Sequence, residues 1–228
     1  MRQLLKKLYI EMFIKNKSLE SVSLISKYKA QTPILEISKE DIQALDKLCF
    51  IGIGGGGTNI IEDISNLDNK HIFIHINSDL QSLNQKKSKD KILLGCRGKE
   101  RYGENFINED VKNRLYELTK KVEFIYIIST LGGSVGSGAT PEILEYLKSI
   151  NKTVTVFVTT PFYFENKICI ATAYDTIDKI KLYTDNLIIL KNDDILDMSQ
   201  NNFLGVKESF KVVSNIIFKT IINWNKMS

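Results

Sequence analysis

Nine of the chain's 13 glycines fall in two clusters whose backbone amides could bind phosphate. The members of the two clusters are Gly52, Gly54, Gly55, Gly56 and Gly57, then Gly132, Gly133, Gly136 and Gly138. Each cluster follows an apolar run and precedes a helix-like stretch. A turn from a strand into a helix exposes N–H groups at the positive end of the helix dipole, and glycine lets an anion approach them. Both clusters are therefore predicted to bind an anion such as phosphate.

The first cluster fits the dinucleotide fingerprint G-x-G-x-x-G through Gly52, Gly54 and Gly57. The same spacing also occurs where a strand and a helix simply pack closely, so it does not by itself define a ligand. The sequence contains no G-x-x-x-x-G-K-[ST] motif. A nucleotide would therefore have its phosphates bound by backbone amides and a metal ion, without a Walker lysine.

Alternating strands and helices must position these clusters. Strands are predicted at Leu48–Ile53, Ile72–Ile76, Ile92–Leu94, Phe124–Ser129, Val154–Thr159 and Leu187–Leu190. Helices are predicted at 58–65, 109–120, 138–150 and 169–184, with a long last helix from Val206 to the C-terminus. This order predicts an α/β fold with a doubly wound, mainly parallel sheet. Ligands of such sheets bind at the carboxyl ends of the strands, where both glycine clusters lie.

The second cluster lies in the segment TLGGSVGSGATP (Thr130–Pro141), which resembles the signature loop G-G-G-T-G-[TS]-G of the tubulin/FtsZ family. The matching positions are Gly132, Gly133, Ser134, Val135, Gly136, Ser137 and Gly138. Ser134 replaces a glycine and Val135 replaces a threonine, which removes one hydroxyl from the loop. The resemblance covers roughly residues 47–227 and implies a Rossmann-like GTPase domain that ends in a long central helix.

The resemblance also implies a binding site for GTP or GDP with Mg²⁺. Gly55, Gly56, Gly57, Thr58 and Asn59 would lie near the phosphates, as would the second cluster. Asn77, with Ser78 and Asp79, would lie near the nucleotide and its magnesium, while Pro161, Phe162 and Glu165 would contact the sugar. Asn192 would face the guanine edge, Phe210 would stack on the base, and Asn215 or Ser214 would hydrogen-bond it.

Hydrolysis in this family needs an acidic loop from a neighbouring subunit, which follows the central helix. The sequence stops at Ser228, so the second domain is expected to be absent from this chain. The family's arginine after the sugar-contacting glutamate aligns with Cys169, so one cation is missing. A longitudinal contact with an FtsZ-type subunit, or with a second copy, is expected.

Three classes of function remain open. The first is a GTPase that acts in cell division or filament assembly and borrows the acidic loop. The second is a non-hydrolysing regulator or cap of FtsZ-type filaments. The third is a dinucleotide-binding Rossmann enzyme, against which the second glycine loop and Glu165 argue.

Residues 1–46 are predicted to be a helical extension and linker, and residues 47–228 the nucleotide-binding domain. Residues 1–30 hold seven Lys or Arg against two Asp or Glu, whereas the rest of the chain holds 24 against 25. A near-neutral body does not favour nucleic-acid binding. Leu5, Leu8 and Met12 are spaced as in an amphipathic helix, so the segment is expected to lie on a membrane, on a partner or on its own domain. Three widely spaced cysteines and no apolar span predict a cytoplasmic protein, and the basic N-terminal segment leaves membrane association open.

Overall fold

The computed structural model describes residues 47–95, 106–184, 186–199 and 206–226. In these residues six strands form one sheet. The strands are β1 (Cys49–Ile53), β2 (Ile72–Asn77), β3 (Asp90–Leu93), β4 (Phe124–Thr130), β5 (Thr153–Thr160) and β6 (Leu187–Lys191). The helices are α1 (Gly54–Leu67), α2 (Leu80–Asn84), α3 (Glu109–Thr119), α4 (Ser134–Ser149), α5 (Lys167–Lys181), α6 (Asn192–Ser199) and α7 (Val206–Lys226).

The sheet has the strand order β3-β2-β1-β4-β5-β6, and every neighbouring pair is parallel. The predicted doubly wound α/β fold is therefore confirmed. All five residues of β1 are buried because helices cover both faces of the sheet. This explains why the central strands are continuous apolar runs rather than alternating ones.

The helices divide between the two faces. One apolar core joins the sheet to α3, α4 and α5, and it includes Val111, Leu144 and Ile177. The other core joins the opposite face to α1, α6 and α7, and it includes Ile61 and Ile217. The helix that follows β1 and the helix that follows β4 therefore lie on opposite faces. These neighbouring strands mark the topological switch point, where open α/β sheets bind ligands.

The long helix α7 is confirmed, and the apolar side chains along it pack against the sheet. Phe218 and Ile221 are fully buried. Trp224 is half-buried and stacks on Phe157 of β5, with ring centroids 5.8 Å apart. These side chains belong to the core between α7 and the sheet.

The glycine clusters differ from the predicted turns. Helices α1 and α4 begin at Gly54 and Ser134, four residues earlier than predicted, so the glycine clusters form their first turns. The short helix α2 was not predicted. The extension at 1–46 lies outside the described residues, and the division into 1–46 and 47–228 stays a prediction. No helix in the described part of the chain is long and apolar enough to cross a membrane.

Candidate functional site

The two glycine clusters meet at the carboxyl ends of β1 and β4. Gly54 has φ +74°, and a β-carbon there would lie 3.1 Å from the backbone nitrogen of Gly136. A β-carbon on Gly136 would lie 2.1 Å from the carbonyl oxygen of Thr130. Only glycine satisfies this positive φ and this close approach without displacing the backbone. The first turns of α1 and α4 are therefore held against each other.

Space remains open beside both clusters. Gly55 and Gly133 are exposed, and a β-carbon on either would meet no atom within 4 Å. The N-terminal ends of α1 and α4 have no side-chain cap, whereas Asp79, Asn108 and Asn166 cap α2, α3 and α5. The first amides of α1 and α4 are thus available to an anion, with the helix dipoles favouring negative charge.

Three other glycines of the clusters lie where a β-carbon would overlap neighbouring atoms. A β-carbon on Gly57 would lie 2.4 Å from the carbonyl oxygen of Ile128, and one on Gly138 would overlap the ring of Phe106. A β-carbon on Gly56 would overlap the side chain of Thr130. These three glycines therefore allow close packing of the helices on their neighbours.

Two predicted hydroxyl groups hold the loops together. Thr58 is fully buried, and its hydroxyl donates to the carbonyl oxygen of Gly55 at 2.9 Å. The Ser137 hydroxyl accepts from the backbone N–H of Gly132 at 2.8 Å, where φ is +98°. Ser134 is exposed as the first residue of α4. Val135 packs on the core beneath α4, so its side chain serves packing.

The end of β2 lies beside the first cluster. The Asn77 side-chain oxygen accepts from the N–H of Ser78 at 2.8 Å, and the Asp79 carboxylate accepts from the N–H groups of Gln81 and Ser82. Asn77 is buried and Asp79 is exposed. Both predicted magnesium-side residues thus have local structural roles, which leave further carboxylate lone pairs of Asp79 facing solvent.

Asn59 extends from α1 towards the loop after α2. Its side-chain oxygen accepts a hydrogen bond from the ammonium group of Lys86. Asn59 is exposed, so this contact lies on the surface. The structure therefore links α1 to the segment between α2 and β3.

The loop between β5 and α5 borders the second cluster. A β-carbon on Gly132 would lie 2.6 Å from Cγ of Pro161. The exposed carboxylate of Glu165 accepts from the N–H of Phe162 at 2.9 Å, which fixes this turn. The structure thus brings Pro161, Phe162 and Glu165 together beside the second glycine cluster, and their contact with a sugar stays a prediction.

Two aromatic residues in that loop were not predicted as functional. Tyr163 and Phe164 are 73% and 60% exposed, although Phe164 stacks on Phe162 with ring centroids 5.0 Å apart. The N–H of Tyr163 donates to the Asp193 carboxylate at 2.9 Å, which ties this loop to α6. Exposed aromatic side chains at the rim of a site favour contact with another molecule.

Thr159 is a further residue that sequence reasoning missed. Its hydroxyl is buried at the carboxyl end of β5 and has no hydrogen-bond partner among the described residues. Thr159 is the register neighbour of Thr130 on β4. A buried hydroxyl without a partner costs free energy, which a polar ligand group would relieve. The sequence feature that could have identified Thr159 is a polar residue at the end of an otherwise apolar, buried strand.

The predicted base-binding residues lie on α6 and α7. Asn192 is buried as the first residue of α6, directly after β6. Phe210 and Asn215 are half-buried on α7, which packs on α1 and α6. Ser214, the alternative to Asn215, is buried with its hydroxyl 3.2 Å from a carboxylate oxygen of Asp63. Asn215 is therefore the better placed of the two for a ligand.

Both histidines are buried in the fold. Nδ1 of His71 accepts from the N–H of Leu48 at 3.2 Å, and Nε2 of His75 lies 3.5 Å from a carboxylate oxygen of Glu62. Burial lowers the pKa of each histidine from 6.5 to about 4, so both are neutral at pH 7. No group of three or more His, Cys, Asp or Glu in the described ranges could hold a metal ion. The burial and the contacts of His71 and His75 are those of side chains packed in the core.

The residues present fit a nucleotide. Open space lies beside two uncapped helix ends, and the unpartnered Thr159 hydroxyl lies at the same edge of the sheet. Mg²⁺ in nucleotide sites takes most of its ligands from phosphate and water and needs only one or two carboxylates. Asp79 is the exposed carboxylate at the end of β2 that can fill this role.

Comparison with known proteins agrees with this architecture. Residues 47–200 match the Tubulin/FtsZ family, GTPase domain. The cell division protein FtsZ of Aquifex aeolicus is 30% identical over 185 residues, which are 77% of this chain and 50% of that protein. The FtsZ 1 of Methanocaldococcus jannaschii is 28% identical over 203 residues, which are 82% of this chain and 55% of that protein.

A solved structure shows the same fold. The empty FtsZ dimer of M. jannaschii matches with a TM-score of 0.63 and 25% identity, covering 83% of this chain and 59% of that one. The fold and the site therefore define a GTPase domain of the tubulin/FtsZ class. The chain belongs to the Tubulin/FtsZ family, which confirms the resemblance seen in the sequence. It spans about half the length of the curated relatives it matches.

Proposed function

We propose that this chain binds GTP and GDP, with Mg²⁺, in the crevice between β1 and β4. The observation that carries this proposal is the open space beside Gly55 and Gly133 at the uncapped ends of α1 and α4. The amides of both first turns would bind the phosphates, while Asp79 would hold the metal ion. The metal ion would neutralise phosphate charge.

The sugar and base would lie along the ends of β5 and β6. Glu165 has one carboxylate oxygen bound to the N–H of Phe162, and its other oxygen can accept a ribose hydroxyl. The Thr159 hydroxyl is buried at this edge without a partner among the described residues, so it can donate a hydrogen bond to the bound nucleotide. Asn192, Phe210 and Asn215 would select guanine through hydrogen bonds and stacking.

The proposed activity is GTP hydrolysis in cell division or filament assembly, completed by an acidic loop from another subunit. The curated relatives are cell division proteins, and the exposed Tyr163 and Phe164 provide a contact surface at the rim of the site. A longitudinal contact with a second copy or an FtsZ-type subunit would cover these aromatic side chains. The protein would then act in the cytoplasm.

The test is GTP turnover measured over a range of protein concentrations. Turnover should rise when a full-length FtsZ-type protein is added, because that subunit would supply the acidic loop. Robust turnover per subunit that needs no added protein and stays constant with concentration would show that the chain hydrolyses GTP alone, which would contradict shared catalysis. Binding without turnover, with or without an added FtsZ, would favour the alternative of a non-hydrolysing regulator or cap.

A further inference from the structure

Two consecutive backbone amides in the loop between β5 and α5, residues 161–166, each donate to a carboxylate. The N–H of Phe162 donates to the carboxylate of Glu165 at 2.9 Å, and the N–H of Glu165 donates back to the carbonyl oxygen of Phe162 at 3.0 Å. The N–H of Tyr163 donates to the carboxylate of Asp193 at 2.9 Å. The first two bonds fix the shape of the turn, whereas the bond to Asp193 fixes its position against α6.

The sheet places this loop and α6 side by side. Thr160, the last residue of β5, is the register partner of Lys191, the last residue of β6. The loop and α6 therefore leave the sheet as neighbours. Asp193 is the second residue of α6 and directly follows Asn192, the predicted base-binding residue. One carboxylate thus joins the segment proposed to bind the sugar to the segment proposed to bind the base.

The two parts of the loop differ in how firmly the fold holds them. Pro161 and Phe162 are buried beside the second glycine cluster, whereas residues 163–165 are exposed. Because little packing restrains an exposed segment, its hydrogen bonds determine where it lies. The position of the Glu165 carboxylate therefore depends on the bond that Asp193 accepts.

An acid at the start of α6 also has a simpler role. Asp193 and Asp194 lie in the first turn of this helix, where the helix dipole favours negative charge. The dipole explains an acid at this position, but it does not explain a directed contact with another loop. Among the described residues Asp193 forms no ion pair, so its charge strengthens the hydrogen bond from Tyr163.

We propose that Asp193 is a positioning residue that sets the preference of the site for ribonucleotides. It does not touch the nucleotide but holds Glu165 where its free carboxylate oxygen accepts a ribose hydroxyl. Such a contact requires the side chain to lie within about 0.5 Å of its productive position, so a displaced loop loses it. This inference rests on the nucleotide binding proposed above.

The test compares the affinities of GTP and dideoxyGTP, which lacks both ribose hydroxyls, by calorimetric titration with Mg²⁺ present. The test variant is Asp193→Ala, and Asp193→Asn keeps an accepting oxygen without the charge. The matched control is Asp110→Ala, which removes an exposed acid from the first turn of another helix, α3. Melting temperatures by circular dichroism check that each variant is folded.

We expect the wild type to bind GTP at least about tenfold more tightly than dideoxyGTP, because the analogue leaves the Glu165 carboxylate without its partner. In Asp193→Ala this ratio should fall below about threefold through weaker binding of GTP. Asp193→Asn should restore most of the ratio, and Asp110→Ala should not change it. Loss of the dipole interaction alone would weaken both nucleotides equally and leave the ratio unchanged.

A double variant tests whether Asp193 acts through Glu165. In Glu165→Ala the preference for GTP should already be lost, so adding Asp193→Ala should weaken GTP binding no further. A further loss in the double variant would show that Asp193 acts independently and would overturn the inference. Asp193→Leu, which has a similar shape but no acceptor, replaces Asp193→Ala in both comparisons if the latter does not fold.

The outcomes separate this inference from the proposed function. A wild-type chain that binds neither GTP nor dideoxyGTP would overturn both. A wild type that binds the two nucleotides equally, or an Asp193→Ala variant that keeps the wild-type ratio, would overturn the inference alone and leave nucleotide binding in place. Equal weakening of both nucleotides in Asp193→Ala would assign Asp193 to the stability of α6 and would likewise overturn the inference.

Discussion

The backbone nitrogen of Gly136 lies 3.1 Å from the point that a β-carbon on Gly54 would occupy. This distance joins two helix ends that are separated by 80 residues of sequence. Because neither end has a side-chain cap, the fold places two sets of available amides at one point of the sheet. The proposed nucleotide site follows from that contact.

Adding a methyl group in the open space should separate binding from folding. Gly133→Ala places its β-carbon where no atom lies within 4 Å, so we expect little change in the melting temperature. The methyl group would enter the space proposed for phosphate, and GTP affinity should fall at least about tenfold, or about 1.4 kcal/mol. Calorimetric titration measures this change.

Gly95→Ala is the matched control for that experiment. Gly95 also has no atom within 4 Å of an added β-carbon, but it follows the edge strand β3. Its GTP affinity should equal that of the wild type. Wild-type affinity in Gly133→Ala, or an equal loss in both variants, would show that the second cluster does not bind phosphate.

Thr159→Val should weaken nucleotide binding without destabilising the protein. The substitution removes a buried hydroxyl that has no partner in the described structure, so the unliganded protein should be as stable or slightly more stable. Affinity for GTP should fall by about 1 kcal/mol if the ligand uses this hydroxyl.

Thr119→Val serves as the control for Thr159, because the Thr119 hydroxyl is also buried but donates to the carbonyl oxygen of Leu115. We expect it to reduce stability slightly and leave nucleotide affinity unchanged. If Thr159→Val instead lowers stability and leaves affinity intact, the Thr159 hydroxyl serves the fold rather than a ligand.

The sequence predicted the sheet well because its central strands are buried on both faces and are therefore continuously apolar. It missed α2, which is only 5 residues long and too short for a clear helical period. It placed the start of α4 four residues late because glycine and serine have low helix propensity, which the contact of Gly136 with Thr130 overrides.

The candidate site could be predicted only in part. The spacing of the glycines located the two clusters, while the family resemblance pointed to Glu165, whose contact with a sugar stays a prediction. The sequence could not reveal that Thr58 and Ser137 hydroxyl groups are used within the loops, or that the Thr159 hydroxyl has no partner. Those facts depend on packing between strands and helices distant in sequence.

Removing the exposed aromatic side chains should affect assembly rather than nucleotide binding. In Tyr163→Ser/Phe164→Ser, the backbone N–H of Tyr163 can still donate to Asp193, so the loop should keep its shape. Because these rings lie at the rim of the site, we expect weaker self-association in analytical ultracentrifugation with GTP. Lower GTP affinity with unchanged assembly would contradict this assignment.

The buried histidines should make stability depend on pH. Burial lowers the pKa of His71 and His75 to about 4 in the folded protein, whereas the unfolded chain binds these protons near pH 6.5. Stability should therefore be complete above pH 6.5 and fall as the pH drops towards 4, by on the order of 2 kcal/mol for each histidine. Urea unfolding across this range measures it.

A double variant, His71→Gln/His75→Gln, provides the comparison for the pH dependence. It removes both titrating groups, so its unfolding free energy should change less between pH 6.5 and 4 than that of the wild type. Parallel pH profiles for the two proteins would show that other groups, such as the carboxylates, account for the entire effect.

Competition binding tests the central claim most directly. A fluorescent GDP analogue bound to the wild-type chain would be displaced by GTP, ATP or NAD in separate titrations with Mg²⁺ present. We expect GTP to compete at least about tenfold more strongly than ATP, because a hydrogen-bond mismatch at a buried base edge costs about 1–3 kcal/mol. NAD should not compete measurably. Equal competition by GTP and ATP would contradict guanine recognition, and stronger competition by NAD would establish the dinucleotide-binding alternative.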